Sequence, residues 1–132
     1  MSLPAFSRRL LLLATLAGGS AITLGAFGAH LLKDRLPADL LLIFETAVRY
    51  QMYHALVLLS LGLWFKSSPQ RSLRWAAYLI GLGMLIFSGS LYLLVWTGVR
   101  VWGAVTPVGG LCLLAGWGAL ALAAIKSAPE SV

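Results

Sequence analysis

Four long apolar runs separated by short polar segments set the pattern of the chain. The first follows Arg8-Arg9 and continues to His30; the others run from about Leu40 to Phe65, Trp75 to Trp96 and Val101 to Ile125. Each run holds about 20 residues or more, enough at ~1.5 Å of rise per residue for a helix to cross a ~30 Å hydrocarbon layer. The interruptions read as turns. In Lys33-Asp34-Arg35-Leu36-Pro37-Ala38-Asp39 the proline disfavours continuation of the preceding helix and Asp39 is placed to cap the next one. Lys66 to Arg74 is polar and basic, and Thr97-Gly98-Val99-Arg100 is a tight turn. The pattern predicts an all-α fold, a transmembrane four-helix bundle. Residues 1–132 then form a single integral membrane domain with spans at approximately 9–32, 40–65, 75–96 and 101–125.

Composition agrees. The chain is 60% hydrophobic and 11% charged, with a mean hydropathy of +0.90, outside the range of soluble globular domains. Its partner is the lipid bilayer. The net charge of +6 does not point to nucleic acid, because the basic residues sit at the ends of apolar runs rather than on a solvated face. Cys112, the single cysteine, excludes an intrachain disulfide and a multi-cysteine metal site. Ser7-Arg8-Arg9 and the leucines after it resemble an export signal. The apolar run is longer than a signal's core and no clear A-x-A site ends it, so it is expected to remain as the first span.

The distribution of charge predicts orientation. Arg8, Arg9, Lys66, Arg71, Arg74 and Lys126 fall on the side of the N-terminus, second connection and C-terminus, whereas the opposite connections hold Lys33, Arg35 and Arg100. The positive-inside rule places both termini in the cytoplasm. Trp75, Tyr78, Tyr92 and Trp96 lie near the ends of the third run, as interfacial aromatic residues do.

Threaded this way, the chain gathers its unusual residues in the non-cytoplasmic half. His30, Glu45, Arg49, Tyr50, Gln51, His54, Ser88, Ser90 and Thr106 form a candidate polar cluster or ligand-binding site. Glu45 and Arg49 are four residues apart and can pair on one helix face; Tyr50 and His54 share that spacing. Ionisable residues in a span are functional candidates by default, although interhelical hydrogen bonds are the commoner use of such side chains. A metal wants three or more convergent ligands, and only His30, His54 and Glu45 are available, so neither a metal nor a cofactor is expected. Ala17, Ala21, Gly25 and Ala29 recur every four residues as a packing stripe, with Gly28, Gly89, Gly109 and Gly110 as further points of close helix approach. In Thr106-Pro107-Val108-Gly109-Gly110 the proline can loosen the first turn of the fourth helix, either breaking it around a ligand or, as is commoner, leaving a packed kink.

Several of these stretches together resemble a known group. They are Gly25-Ala26-Phe27-Gly28-Ala29-His30, Tyr50-Gln51 with His54-Ala55-Leu56, Phe87-Ser88-Gly89-Ser90-Leu91-Tyr92, and Thr106-Pro107-Val108-Gly109-Gly110 with Leu114-Ala115-Gly116-Trp117. In order and spacing they resemble the YgdD/YwdK family of small four-span inner-membrane proteins of uncharacterised function. The resemblance implies a bacterial inner-membrane location and supplies no catalytic residues. Glu45 and Arg49 lie outside the matched stretches.

With neither an activated nucleophile nor a metal cage in the sequence, the chain is expected not to be an enzyme. The leading reading is a structural or accessory membrane protein that packs with itself as a homo-oligomer or with a membrane-protein partner. The alternative is a small oligomeric transporter, channel or lipid-binding protein using the outer polar cluster.

Overall fold

The computed structural model describes residues 3–127, and among them every regular element is helical. Helix α1 spans Ala5–Phe27 and continues through a π-helical turn at Gly28–Leu32; α2 spans Ala38–Ser67, α3 Arg71–Thr97 and α4 Val101–Lys126. The helices begin up to four residues before the apolar runs do, because arginines such as Arg8, Arg9, Arg71 and Arg74 can extend a helix while their charged heads reach for water. Pro37 precedes the first turn of α2. Asp39 does not cap that helix as expected; it sits in the first turn, where its charge still complements the helix dipole. Gly98 ends α3 in the left-handed conformation at φ 69°, its N–H returning to the Leu94 carbonyl at 2.9 Å, which a side chain at this position would strain.

Each helix packs on its neighbour in sequence, and no comparable contact joins α1 to α4. The bundle is therefore an open row with α2 and α3 in its middle. On α2 the buried positions Phe44, Ala47, Gln51, His54, Leu58, Leu61 and Phe65 alternate in steps of three and four, a continuous seam along the helix. On α1 the seam is Ser7, Leu10, Ala14, Ala21 and Gly28, with Ala17 half-buried between them. The four-residue stripe therefore departs from the seam at its end. Steps of four advance about 40° each around a helix of 3.6 residues per turn, so Ala29 is exposed and Gly28 takes the buried place.

The interior is small and partly polar, and the exterior is large and aliphatic. Alanines at 14, 21, 47, 55, 76, 77 and 123 are buried, whereas Leu16, Leu85, Leu111 and Ile125 are each about 70% exposed. Such a surface is unfavourable in water and ordinary against lipid, where close helix approach replaces apolar burial as the source of packing energy. By length and composition α1 with its π-turn, α3 and α4 can cross a membrane, with mean hydropathies of 1.9, 2.0 and 2.0. The expected fourth span, α2, does not reach that level. It is long enough, but Glu45, Arg49, Tyr50, Gln51, Tyr53 and His54 dilute its apolar character through the middle of the helix.

Candidate functional site

The polar residues of α2 face three neighbouring helices, and Gln51 is their centre. Its amide nitrogen donates to the Ala17 carbonyl at 2.9 Å and to Ser20 Oγ at 2.8 Å, both on α1. Its amide oxygen accepts the phenolic O–H of Tyr92 on α3 at 2.8 Å. One side chain therefore fastens α1, α2 and α3 together, and both of its amide protons are satisfied. One turn earlier, Ser88 Oγ on α3 donates to the Ala47 carbonyl at 2.8 Å, a second bond between α2 and α3.

His54 extends the contacts to α4. A carbonyl can only accept, so the 2.8 Å contact with Tyr50 O assigns the proton to Nδ1 and leaves Nε2 to accept the indole N–H of Trp117 at 3.4 Å. Tyr50, 38% exposed, stacks on Phe87 with ring centroids 4.4 Å apart. Between α3 and α4, Ser90 and Thr106 share a 2.7 Å hydroxyl contact; with one proton apiece, one of them donates to the other, which in turn donates to a carbonyl of its own helix, Phe87 O at 3.0 Å or Trp102 O at 3.2 Å. These hydrogen bonds are worth ~0.6 kcal/mol apiece in a membrane. Their effect is to fix which faces meet.

The structure thus places these candidates at helix interfaces in separate contacts, Gln51 with α1 and α3, His54 with α4, Ser88 of α3 with α2, and Ser90 with Thr106 between α3 and α4, while Tyr50 lies half-exposed at the edge. It leaves three candidates outside. His30 is exposed on the π-helical turn and makes no contact with His54 within hydrogen-bonding distance. Glu45 and Arg49 are exposed and do not close on each other as an ion pair; both line a shallow 560 Å³ groove between α1 and α2 with Ala21, Gly25, Gly28, Val48 and Tyr53. The reason is angular. With Phe44, Ala47 and Gln51 on the seam, positions 45 and 49 fall beside it. Among the described residues no group of three His, Cys, Asp or Glu side chains is placed to hold a metal.

The packing residues divide similarly. A Cβ at Gly109 would collide with the Phe87 backbone, and one at Gly28 would lie 2.7 Å from the Phe44 ring. Gly25 is in ordinary contact with Val48, Gly110 borders Phe87 at 3.9 Å, and Gly89 faces open space. Two close approaches were not singled out by sequence reasoning: Gly83, where a Cβ would lie 2.8 Å from Leu113 N, and Gly116, where it would lie 2.5 Å from Ile80 Cγ1. Their signal is the spacing Thr106, Gly109, Leu113, Gly116, which alternates threes and fours. Tyr92, Trp117 and Ser20 were likewise not named as site residues. A phenol and an indole inside apolar helices each call for a hydrogen-bond acceptor, which is the clue they carried. Pro107 neither breaks α4 nor opens a site: the helix is continuous from Val101 to Lys126, and the ring is exposed.

Comparison with known proteins finds relatives that are named as membrane proteins. Residues 24–110 match the family described as a protein of unknown function (DUF423). A UPF0382 membrane protein of Staphylococcus epidermidis is 43% identical over 118 residues, covering 89% of this chain and 96% of that one. The UPF0382 inner membrane protein YgdD of Escherichia coli K12 is 38% identical over 120 residues, covering 91% and 92%. No solved structure matches. A match across most of the helical region, together with relatives aligned over nearly their whole length, places this chain in the DUF423 family of UPF0382 membrane proteins.

Proposed function

We propose that the protein is a non-enzymatic, structural or accessory component of a bacterial inner membrane that acts by packing against a second copy of itself. The carrying observation is that the buried polar side chains of α2 are occupied within the chain: Gln51 uses its amide on Ala17, Ser20 and Tyr92, and His54 uses both ring nitrogens on Tyr50 and Trp117. A seam so occupied works as a set of latches between helices.

Unpaired chemistry lies outside it, in the groove of Glu45 and Arg49 floored by Ala21, Gly25 and Gly28. Small residues admit a neighbouring helix, and a two-fold arrangement lets each glutamate face the other copy's arginine. In this reading α2 crosses the layer beside α1 and α3, which shield its polar seam. The charge asymmetry supports cytoplasmic termini. The test is crosslinking in native membranes of a Cys112→Ser chain carrying Ala26→Cys in the groove. Covalent dimers that weaken on Glu45→Gln are expected; isolated monomers at every crosslinker length contradict the reading.

A further inference from the structure

A second, larger groove lies elsewhere. Helices α1 and α3 flank a trough of 810 Å³ floored by Gln51 and Leu58 of α2 and walled by Leu13 and Leu16 on one side and Leu82 and Leu85 on the other. Along α1 it extends from Phe6 to Ser20, about 21 Å at the helical rise and more than the ~15 Å depth of one hydrocarbon leaflet. The two ends differ in chemistry. At the inner end Ser20, Gln51 and Ser88 are hydrogen-bonded within the chain. At the mouth are Arg9 and Tyr78, beside Phe6, whose ring is covered by the Arg74 guanidinium at 5.4 Å.

Charge selects the occupant. The end of the molecule that holds the mouth carries Arg8, Arg9, Lys66, Arg71, Arg74 and Lys126, while the carboxylates of the described residues, Asp34, Asp39 and Glu45, belong to the opposite end. A second copy inserted in the same orientation would set basic end against basic end at this level. An apolar trough as deep as a leaflet with a cation at its rim instead matches an amphiphile with an anionic head. The geometry points to a binding site for an acidic phospholipid, one acyl chain lying between α1 and α3 and the phosphate on Arg9. This goes beyond the self-packing reading, which rests on a different groove and different charges.

The test uses the purified full chain in detergent, titrated with phosphatidylglycerol or phosphatidylcholine of identical acyl chains and followed by native mass spectrometry. The unmodified chain is expected to retain phosphatidylglycerol about fivefold more strongly, the scale of one basic residue at an anionic surface. Arg9→Gln abolishes that preference, and Arg8→Gln, with the same change in net charge, keeps it. Gly81 borders the trough with no atom within 4 Å of an added Cβ, so Gly81→Leu fills the space without a backbone clash and lowers retention of both lipids. Gly89→Leu, open in the same way, is the second filling variant, and circular dichroism checks that either one is folded. Equal retention of the two lipids overturns the proposal, as does equal loss in Arg8→Gln and Arg9→Gln, which would mean diffuse surface charge. Dimers dissolved by both filling variants and unaffected by lipid would overturn it in favour of a second copy. None of these outcomes depends on Glu45.

Discussion

The two halves of the helix row are held together by different means. Between α3 and α4 backbones meet almost directly: Gly83 lies against Leu113, Gly109 against Phe87 and Gly116 against Ile80, with the Ser90–Thr106 contact at one end. Between α1 and α2 the small residues are mixed with larger ones, the amide of Gln51 crosses the interface, and a groove remains open alongside. In lipid, apolar side chains gain nothing by leaving their surroundings, so association rests on close van der Waals contact or on hydrogen bonds. The α3–α4 pair relies on the first and the α1–α2 pair on the second. The looser half is also the one with surfaces left to offer.

The comparison can be broken most sharply at Gly109. Gly109→Leu forces a side chain into the Phe87 backbone and is expected to cost about 3 kcal/mol, the upper range for overpacking, read as a lowered midpoint in detergent-induced unfolding. Gln51→Leu acts on the other half. It removes three interhelical hydrogen bonds, for an expected loss of ~2 kcal/mol at ~0.6 kcal/mol per bond.

Glu45→Gln and Arg49→Gln should each change unfolding by less than ~0.5 kcal/mol, because both side chains are exposed, while lowering crosslinked dimer. The effect expected at Ser7 has the opposite sign. Among the described residues its fully buried hydroxyl has no hydrogen-bond partner, so Ser7→Ala should leave stability unchanged or raise it by up to ~1 kcal/mol. A clear loss there would mean that a buried polar atom near the start of α1 has a partner in the membrane.

Much of the fold was legible in the sequence because four apolar runs, Pro37 and Gly98 act through local physics. Faces were harder to read. Ala29 and Gly28 are adjacent, and only the three-and-four seam set by α2 decides that Gly28 is the buried one. Glu45 and Arg49 have the spacing of a helical ion pair, but that spacing does not say whether the side chains find each other or point elsewhere. His30 was grouped with His54 by depth along the helices, and the π-helical turn leaves it exposed. The inward direction of Gln51, Ser88 and Ser90 could be inferred from cost alone, since a polar side chain on an otherwise apolar helix seeks a neighbouring helix. Their particular partners, a carbonyl at Ala17 and a phenol at Tyr92, depend on the register between helices distant in sequence.

The central claim is that the interior polar residues are latches between helices, and a double-mutant cycle on Gln51→Leu and Tyr92→Phe tests it most directly. Unfolding free energies of the unmodified chain, the two single variants and the double variant should yield a coupling of at least ~0.6 kcal/mol, the average for interhelical hydrogen bonds in membranes. Additive effects, with no coupling between the two positions, would contradict the account.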